Sequence, residues 1–245
     1  MPETIEKERL SEDLTFPWWV KKEHRARYLF ASQYTKGVTV LDCACGTGEG
    51  SFLFSQEATS VRAVDISQAA LDEATQRFQK SNLSFEIGSA LTLPVPDAFS
   101  DVYISLETIE HIGDDQAYLK EAARIVKDQG IFICSTPNRH ITNPGKSLSE
   151  KPANPFHIRE YSPQELTHLL KQHFSKVELY GLNPNKPLKA KALRLLGEIL
   201  PGHIGTRVHQ LMKLVRFLFK HDSDYTFKKL SPEYEYEYLI AVCQK

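Results

Sequence analysis

Residues 40–50 read VLDCACGTGEG: a short β-branched run that ends on an acid and passes at once into glycines at 46, 48 and 50. A strand that turns sharply into a helix needs such a segment. Glycine takes backbone conformations closed to other residues and lets a ligand approach the main chain. In an open parallel sheet ligands bind outside the carboxyl ends of the strands, and the first strand–helix loop lies there. The flanking sequence supplies the alternation such a sheet requires. Strand patterns at 38–42, 61–67, 83–90, 101–109, 130–138, 176–183 and 238–245 are separated by helical patterns. Those helices are KKEHRARYLFASQY (21–34), SQAALDEATQRFQKSN (67–82), DQAYLKEAARIVKDQG (115–130, closed by Gly130) and SPQELTHLLKQHF (162–174, with Ser162 as N-cap). The expected fold class is α/β, Rossmann-like: a seven-stranded, mostly parallel sheet with helices on both faces.

The loop's chemistry narrows the ligand. A phosphate-binding P-loop would carry Lys after its last glycine, and this one does not. Asp42, at the end of the strand, would repel a pyrophosphate but suits an ammonium group. Asp65 closes the second strand, where an acid can accept both hydroxyls of a ribose. Together they ask for a ligand with a ribose, an ammonium group and no phosphate.

These residues resemble class I S-adenosylmethionine (SAM)-dependent methyltransferases. LDCACGTGEG is similar to the family's first motif, with Ala44 in place of its usual first glycine. AVDIS resembles its ribose-binding motif, GSALTLPVPDAFSDVYISLETIEHI the run from the adenine loop to the fourth strand, and KDQGIFICSTPN the fifth. The resemblance covers roughly 22–182 and returns at 238–245. It implies SAM as cofactor, S-adenosylhomocysteine as product, and Asp42, Ala44, Gly46, Gly48, Asp65, Ile66, Ser89, Ala90, Leu106 and Glu107 as cofactor-binding residues.

ETIEHI (107–112) follows the fourth strand, and NPFHIREY (154–161) the fifth, so Glu107, Glu110, His111 and His157 are expected at one edge. His111 and His157 are candidate general bases, with Glu110 beside them. Two carboxylates and two imidazoles also suit a divalent ion such as Mg²⁺, with Glu107, Glu110, His111 and His157 as ligands. The Glu-x-x-Glu-His stretch resembles both ubiquinone-biosynthesis O-methyltransferases and small-RNA 2′-O-methyltransferases. EHRARYLFA, STPN and NPFHIREY are more similar to bacterial methyltransferases that accompany glycosyltransferases. The expected activity is O-methylation of a hydroxyl on a sugar, glycolipid or related metabolite. The alternatives are a metal-dependent RNA 2′-O-methyltransferase and a non-catalytic SAM-binding partner protein.

Charge marks one further segment. Residues 186–220 hold eight Lys or Arg against Glu198 alone, in a chain of net charge −1. The expected organisation is an N-terminal helical cap (1–36), a SAM-binding core (37–185), a basic helical insertion or lid (186–230) and a last strand (231–245). The insertion would meet the acceptor or an anionic membrane surface. With no net positive charge overall, nucleic acid is a poor partner. No apolar run reaches membrane-span length, the N-terminus lacks a signal-like apolar stretch, and the cysteines suggest no disulfide framework. A cytoplasmic location is therefore expected, with peripheral membrane contact open to the basic segment.

Overall fold

The computed structural model describes residues 18–185 and 225–245; the basic stretch 186–220 lies outside the described residues. The first helix is α1 (Trp18–Ser32). Five parallel strands follow, β1 (Thr39–Cys43), β2 (Ser60–Asp65), β3 (Leu83–Ile87), β4 (Ser100–Leu106) and β5 (Val126–Pro137). Helices α2 (Glu49–Phe54), α3 (Gln68–Arg77) and α4 (Asp115–Ile125) connect them. A short α5 (Arg139–Thr142) and α6 (Pro163–Leu170) precede β6 (Lys176–Asn185), β7 (Lys228–Lys229) and β8 (Glu235–Gln244). The strand order is β3-β2-β1-β4-β5-β8-β6-β7, with β8 antiparallel to both β5 and β6. Its direction reverses between β1 and β4, which puts a crevice at the carboxyl ends of those two strands.

Strand periodicity divides the core in two. Leu41, Cys43, Tyr103, Phe132, Cys134, Leu239 and Ala241 face α4 and α6, against Leu119, Ala122, Leu166 and Leu170. Their neighbours Val40, Val102, Ile104, Ile133 and Ile240 face Ala26, Phe30 and Phe54 on the other side. Successive side chains of a strand point to opposite faces, so each strand covers both layers. Cys43, Cys134 and Cys243 are buried on β1, β5 and β8, and all four cysteines are free thiols.

Two expectations are corrected. Among the described residues the sheet has eight strands rather than seven, because Lys228 and Lys229 pair with Gly181 and Tyr180 beyond β6. Two exposed lysines carry no alternation from which a strand could be read. The helix expected over 115–130 stops at Ile125. Val126 is fully buried and pairs with Ser100, so β5 begins there. The bonds resume at Val102–Ile131, and the intervening residues form a bulge with Gln129 at φ 68°. Gly130 is therefore no helix cap. A Cβ there would lie 2.9 Å from the Asp101 carbonyl, so glycine admits a close approach of neighbouring strands.

Candidate functional site

The glycine loop leaves β1 with three left-handed residues at alternate positions: Ala44 (φ 60°), Gly46 (φ 55°) and Gly48 (φ 82°). Ala44 holds this conformation at a cost of about 1–2 kcal/mol for a residue with a Cβ. At Gly48 a Cβ would come within 2.9 Å of both Phe85 and Ala74, so the loop is seated against α3 and β3. The Gly46 amide donates to Asp65 Oδ2 at 2.9 Å, and the Ser67 amide donates to Oδ1 at 2.9 Å. Asp65 thus locks the first loop to the second strand.

Asp42 is buried beneath this loop and accepts a 2.5 Å hydrogen bond from Ser51 on α2. Burial pushes its carboxyl up to about 7 and the charge of Asp65 adds to the rise, with the Ser51 bond opposing them. Ile66, just past β2, is 63% exposed, and Ile87, paired with Asp65 across the strands, is 49% exposed. Ser89 holds its own turn, its hydroxyl accepting from the Leu91 amide at 3.2 Å beside Ala90.

Leu106 ends β4, and Glu107 follows with φ 51°, another left-handed non-glycine. Four bonds hold it there. Its amide donates to the Ser135 carbonyl (3.1 Å) and to Ser135 Oγ (3.0 Å), its Oε1 accepts from that hydroxyl (2.7 Å), and its Oε2 meets Arg27 Nη2 (2.9 Å). Arg27 comes from α1, is 1% exposed, and lies over the Tyr238 ring at 4.3 Å.

Glu110 and His111 form a short 3₁₀ turn, and the loop after β5 is pinned to it by Ile158 and Arg159 amides donating to the Glu110 carbonyl. The His111 and His157 rings meet edge to face at 4.9 Å. His111 Nδ1 lies 3.1 Å from the Phe156 carbonyl, which only accepts, so Nδ1 carries the proton and the lone pair is on Nε2. His157 Nδ1 lies 2.6 Å from Glu160 Oε1, and its Nε2 accepts from Asn154 at 2.9 Å. Glu110 is 1% exposed, and its Oε2 has no hydrogen-bond partner among the described residues. Burial, and then the neighbouring charge of Glu107, push its carboxyl well above the usual carboxylate range, while His157 opposes them.

Of the four residues expected to hold a metal, three come together. One ligand atom each from Glu110, His111 and His157 lies within 4.8 Å of the others, which fits a divalent ion bound by three protein donors. Glu107 does not join them, because Arg27 and Ser135 hold its carboxylate elsewhere.

Sequence reading missed Arg27, Ser135 and Glu160. For Arg27 a signal existed: Glu23, Arg27 and Phe30 recur at helical spacing, so two charges lie on the stripe that α1 buries. Ser135 and Glu160 matter through partners 28 and 3 residues away, and their roles required the fold.

A strand-end acid beneath a glycine loop, a second acid on the next strand and an open apolar rim mark a Rossmann-like fold with its ligand crevice at the carboxyl ends of β1 and β4. A methyltransferase-domain family model matches residues 34–184. The chain is 32% identical over 202 residues to a probable S-adenosylmethionine-dependent methyltransferase of Mycobacterium tuberculosis (strain H37Rv), covering 82% of this chain and 72% of that one. It is 29% identical over 152 residues to a ubiquinone biosynthesis O-methyltransferase of Coxiella burnetii, covering 56% and 65%. A Thermotoga maritima structure described as a SAM-dependent methyltransferase, possible histamine N-methyltransferase, superposes with TM-score 0.60 at 18% identity, covering 93% of each chain. The protein belongs to the class I SAM-dependent methyltransferases.

Proposed function

We propose that the protein transfers the methyl group of SAM to a hydroxyl oxygen of a sugar, glycolipid or related small metabolite. One observation carries the oxygen chemistry. Two imidazoles stand together where the turn after β4 meets the loop after β5, His111 with its lone pair on Nε2 and His157 with Nε2 accepting from Asn154. Similarity to an O-methyltransferase supports the same reading.

SAM supplies a methyl group on a sulfonium, which needs no activation. The chain's own residues would align the partners and take one proton. Asp65 would accept the ribose hydroxyls and Asp42 would face the ammonium group. Ile66 and the turn at Ser89 and Ala90 would border the adenine, while Leu106 and Glu107 would lie along the methionine side. As the oxygen–carbon bond forms and the sulfur–carbon bond breaks, the hydroxyl proton would pass to Nε2 of His111, or to Nε2 of His157 once the acceptor hydroxyl has displaced the Asn154 donor. S-adenosylhomocysteine would leave as the neutral sulfide.

Asp42 gives this cofactor placement a pH signature. Its folded carboxyl titrates near 7 rather than 3.8, so without ligand the folded chain holds a proton that the unfolded chain loses, and stability falls as pH rises through that window. An ammonium beside Asp42 favours the ionised form, so binding expels the proton. Affinity for S-adenosylhomocysteine should therefore tighten between about pH 5.5 and 7.5, by up to about tenfold per unit. Titration calorimetry across that range checks it: Asp42→Asn should flatten the slope, and a flat wild-type profile would move the ammonium elsewhere.

The test of the reaction is transfer of labelled methyl from SAM to a panel of hydroxylated acceptors, with linkage assigned by mass spectrometry. Replacing both His111 and His157 with Gln should lower kcat by about 10²- to 10⁴-fold. Transfer to nitrogen or carbon acceptors alone would overturn the oxygen reading.

The cluster of Glu110, His111 and His157 favours a second form of the same chemistry, in which these three hold a divalent ion that would orient and acidify the acceptor hydroxyl. Turnover after dialysis against EDTA separates the two. Complete loss, with recovery in Mg²⁺, Mn²⁺ or Co²⁺, belongs to the ion. Full retention leaves the imidazole base.

A further inference from the structure

Away from the cofactor crevice, a cleft of about 470 Å³ opens between α1 and α2. Lys21, His24, Arg25 and Tyr28 line it from α1, at the spacing of a single helix face. Glu49, Phe52 and Leu53 line it from α2, and Arg77 and Phe78 close it at the end of α3. None of the residues read for the cofactor or for proton transfer is among them. The two helices meet at Gly50. There the Tyr28 ring lies so close that a Cβ would come within 2.9 Å of its Cδ1 and Cε1, and the ring meets Phe54 edge to face at 6.4 Å. Phe52 and Phe78 make an aromatic wall, stacked at 4.7 Å with planes 19° apart, and Phe52 is 36% exposed.

Charge in the cleft is unbalanced. Arg77 sits 5.0 Å from the centre of the Phe78 ring and takes both nearby acids, Glu49 and Glu73, at 3.0 Å each. His24 adds no charge, because burial, and then the Arg27 guanidinium, lower its pKa well below the ordinary imidazole value. Lys21 and Arg25 remain. Both are exposed, they stand one turn apart on the same face, and neither has a carboxylate partner among the described residues. Like charges at this spacing repel, so the free cleft carries an electrostatic tension that an anion would relieve.

We propose that this cleft is a second ligand site, distinct from the cofactor crevice, for a small organic anion carried on an aromatic ring. The anionic group would lie between Lys21 and Arg25, and the ring against Phe52 and Tyr28. An inorganic anion would leave the aromatic wall in water, and a neutral ring would leave the cations unmatched, so tight occupancy needs both halves in one molecule. The space suits such a ligand, since small-molecule sites run from about 300 to 1,000 Å³. Tyr28, Leu53 and Phe78 are half-buried, which fits a molecule that enters the cleft better than a flat bilayer laid across it. The site stands independently of the acceptor chemistry proposed above, since the two share no residue.

The test is a ¹H–¹⁵N shift titration with three probes: phenyl phosphate, inorganic phosphate and benzyl alcohol. Saturating S-adenosylhomocysteine closes the cofactor crevice to them. Phenyl phosphate should bind at least about tenfold more tightly than either fragment, and should move the amides of residues 21–28 and 49–56. Lys21→Ser combined with Arg25→Ser should weaken phenyl phosphate by about tenfold or more and leave benzyl alcohol unchanged. Phe52→Ser should weaken both ring-bearing probes and leave inorganic phosphate unchanged. These side chains are exposed, so the variants should keep wild-type melting behaviour and affinity for S-adenosylhomocysteine. Phenyl phosphate that binds no more tightly than inorganic phosphate overturns the site, as does equal binding to the double variant. Flotation with phosphatidylglycerol or phosphatidylcholine vesicles tests the competing occupant. If phosphatidylglycerol carries the wild type but not the double variant, while phenyl phosphate does not bind, the face is a membrane contact and the ligand site is overturned.

Discussion

Asp65→Ala is expected to weaken binding of S-adenosylhomocysteine by about 10- to 150-fold, corresponding to about 1.5–3 kcal/mol for hydrogen bonds to a charged group. The effect has two sources in the same side chain. In the proposed complex the carboxylate receives the ribose hydroxyls, and that interaction disappears. In the free protein it also receives the Gly46 and Ser67 amides at 2.9 Å each, so its removal loosens the glycine loop that the cofactor must meet. Asp65→Asn keeps one oxygen and should fall between. Titration calorimetry on variants with wild-type melting behaviour measures it, and an unchanged Kd in folded Asp65→Ala would place the ribose at another side chain.

The second large effect is on stability. Arg27→Met should cost about 3–5 kcal/mol, because Arg27 is almost wholly buried and its loss strands Glu107 at the end of β4 without its counter-ion. For a chain of this size, that is a fall in melting temperature of about 6–20 °C. Adding Glu107→Gln removes the stranded charge and keeps a partner for Ser135, so the double variant should recover a substantial part of the loss. Scanning calorimetry of the two single variants and the double gives the coupling directly. If Arg27→Met melts with the wild type, the pair contributes nothing net, and the left-handed turn at Glu107 is held by Ser135 alone.

The stability effect reaches the site as well. Arg27 brings α1 onto the edge formed by β4 and β8, and Ser135 on β5 grips the same carboxylate. Three separate segments therefore determine where the chain turns from Leu106 toward Glu110 and His111. A residue with a Cβ at φ 51° needs such support, since nothing local favours that conformation.

The sequence by itself determined the alternation of strands and helices, the glycine loop after Asp42, the acid at Asp65 and the placing of both histidine segments after β4 and β5. These features are local. Apolar spacing of two or three to four residues, glycine at left-handed positions and N-caps such as Ser67 and Ser162 act within a few residues, so they can be read along the chain. The tertiary structure decided the rest. The eighth strand exists because β6 offers a free edge to two lysines, and the helix before β5 ends early because Val126 gains more by entering the core beside Ser100 than by one more helical turn. At the site, Glu107 reads in sequence as one of four equivalent ligands. In the fold it is taken by Arg27, 80 residues away, while Glu160 acquires a part through Thr142, Asn143 and His157. A carboxylate is drawn to whichever donor the fold buries beside it, and that choice is made in three dimensions, where residues distant in the chain share one desolvated space.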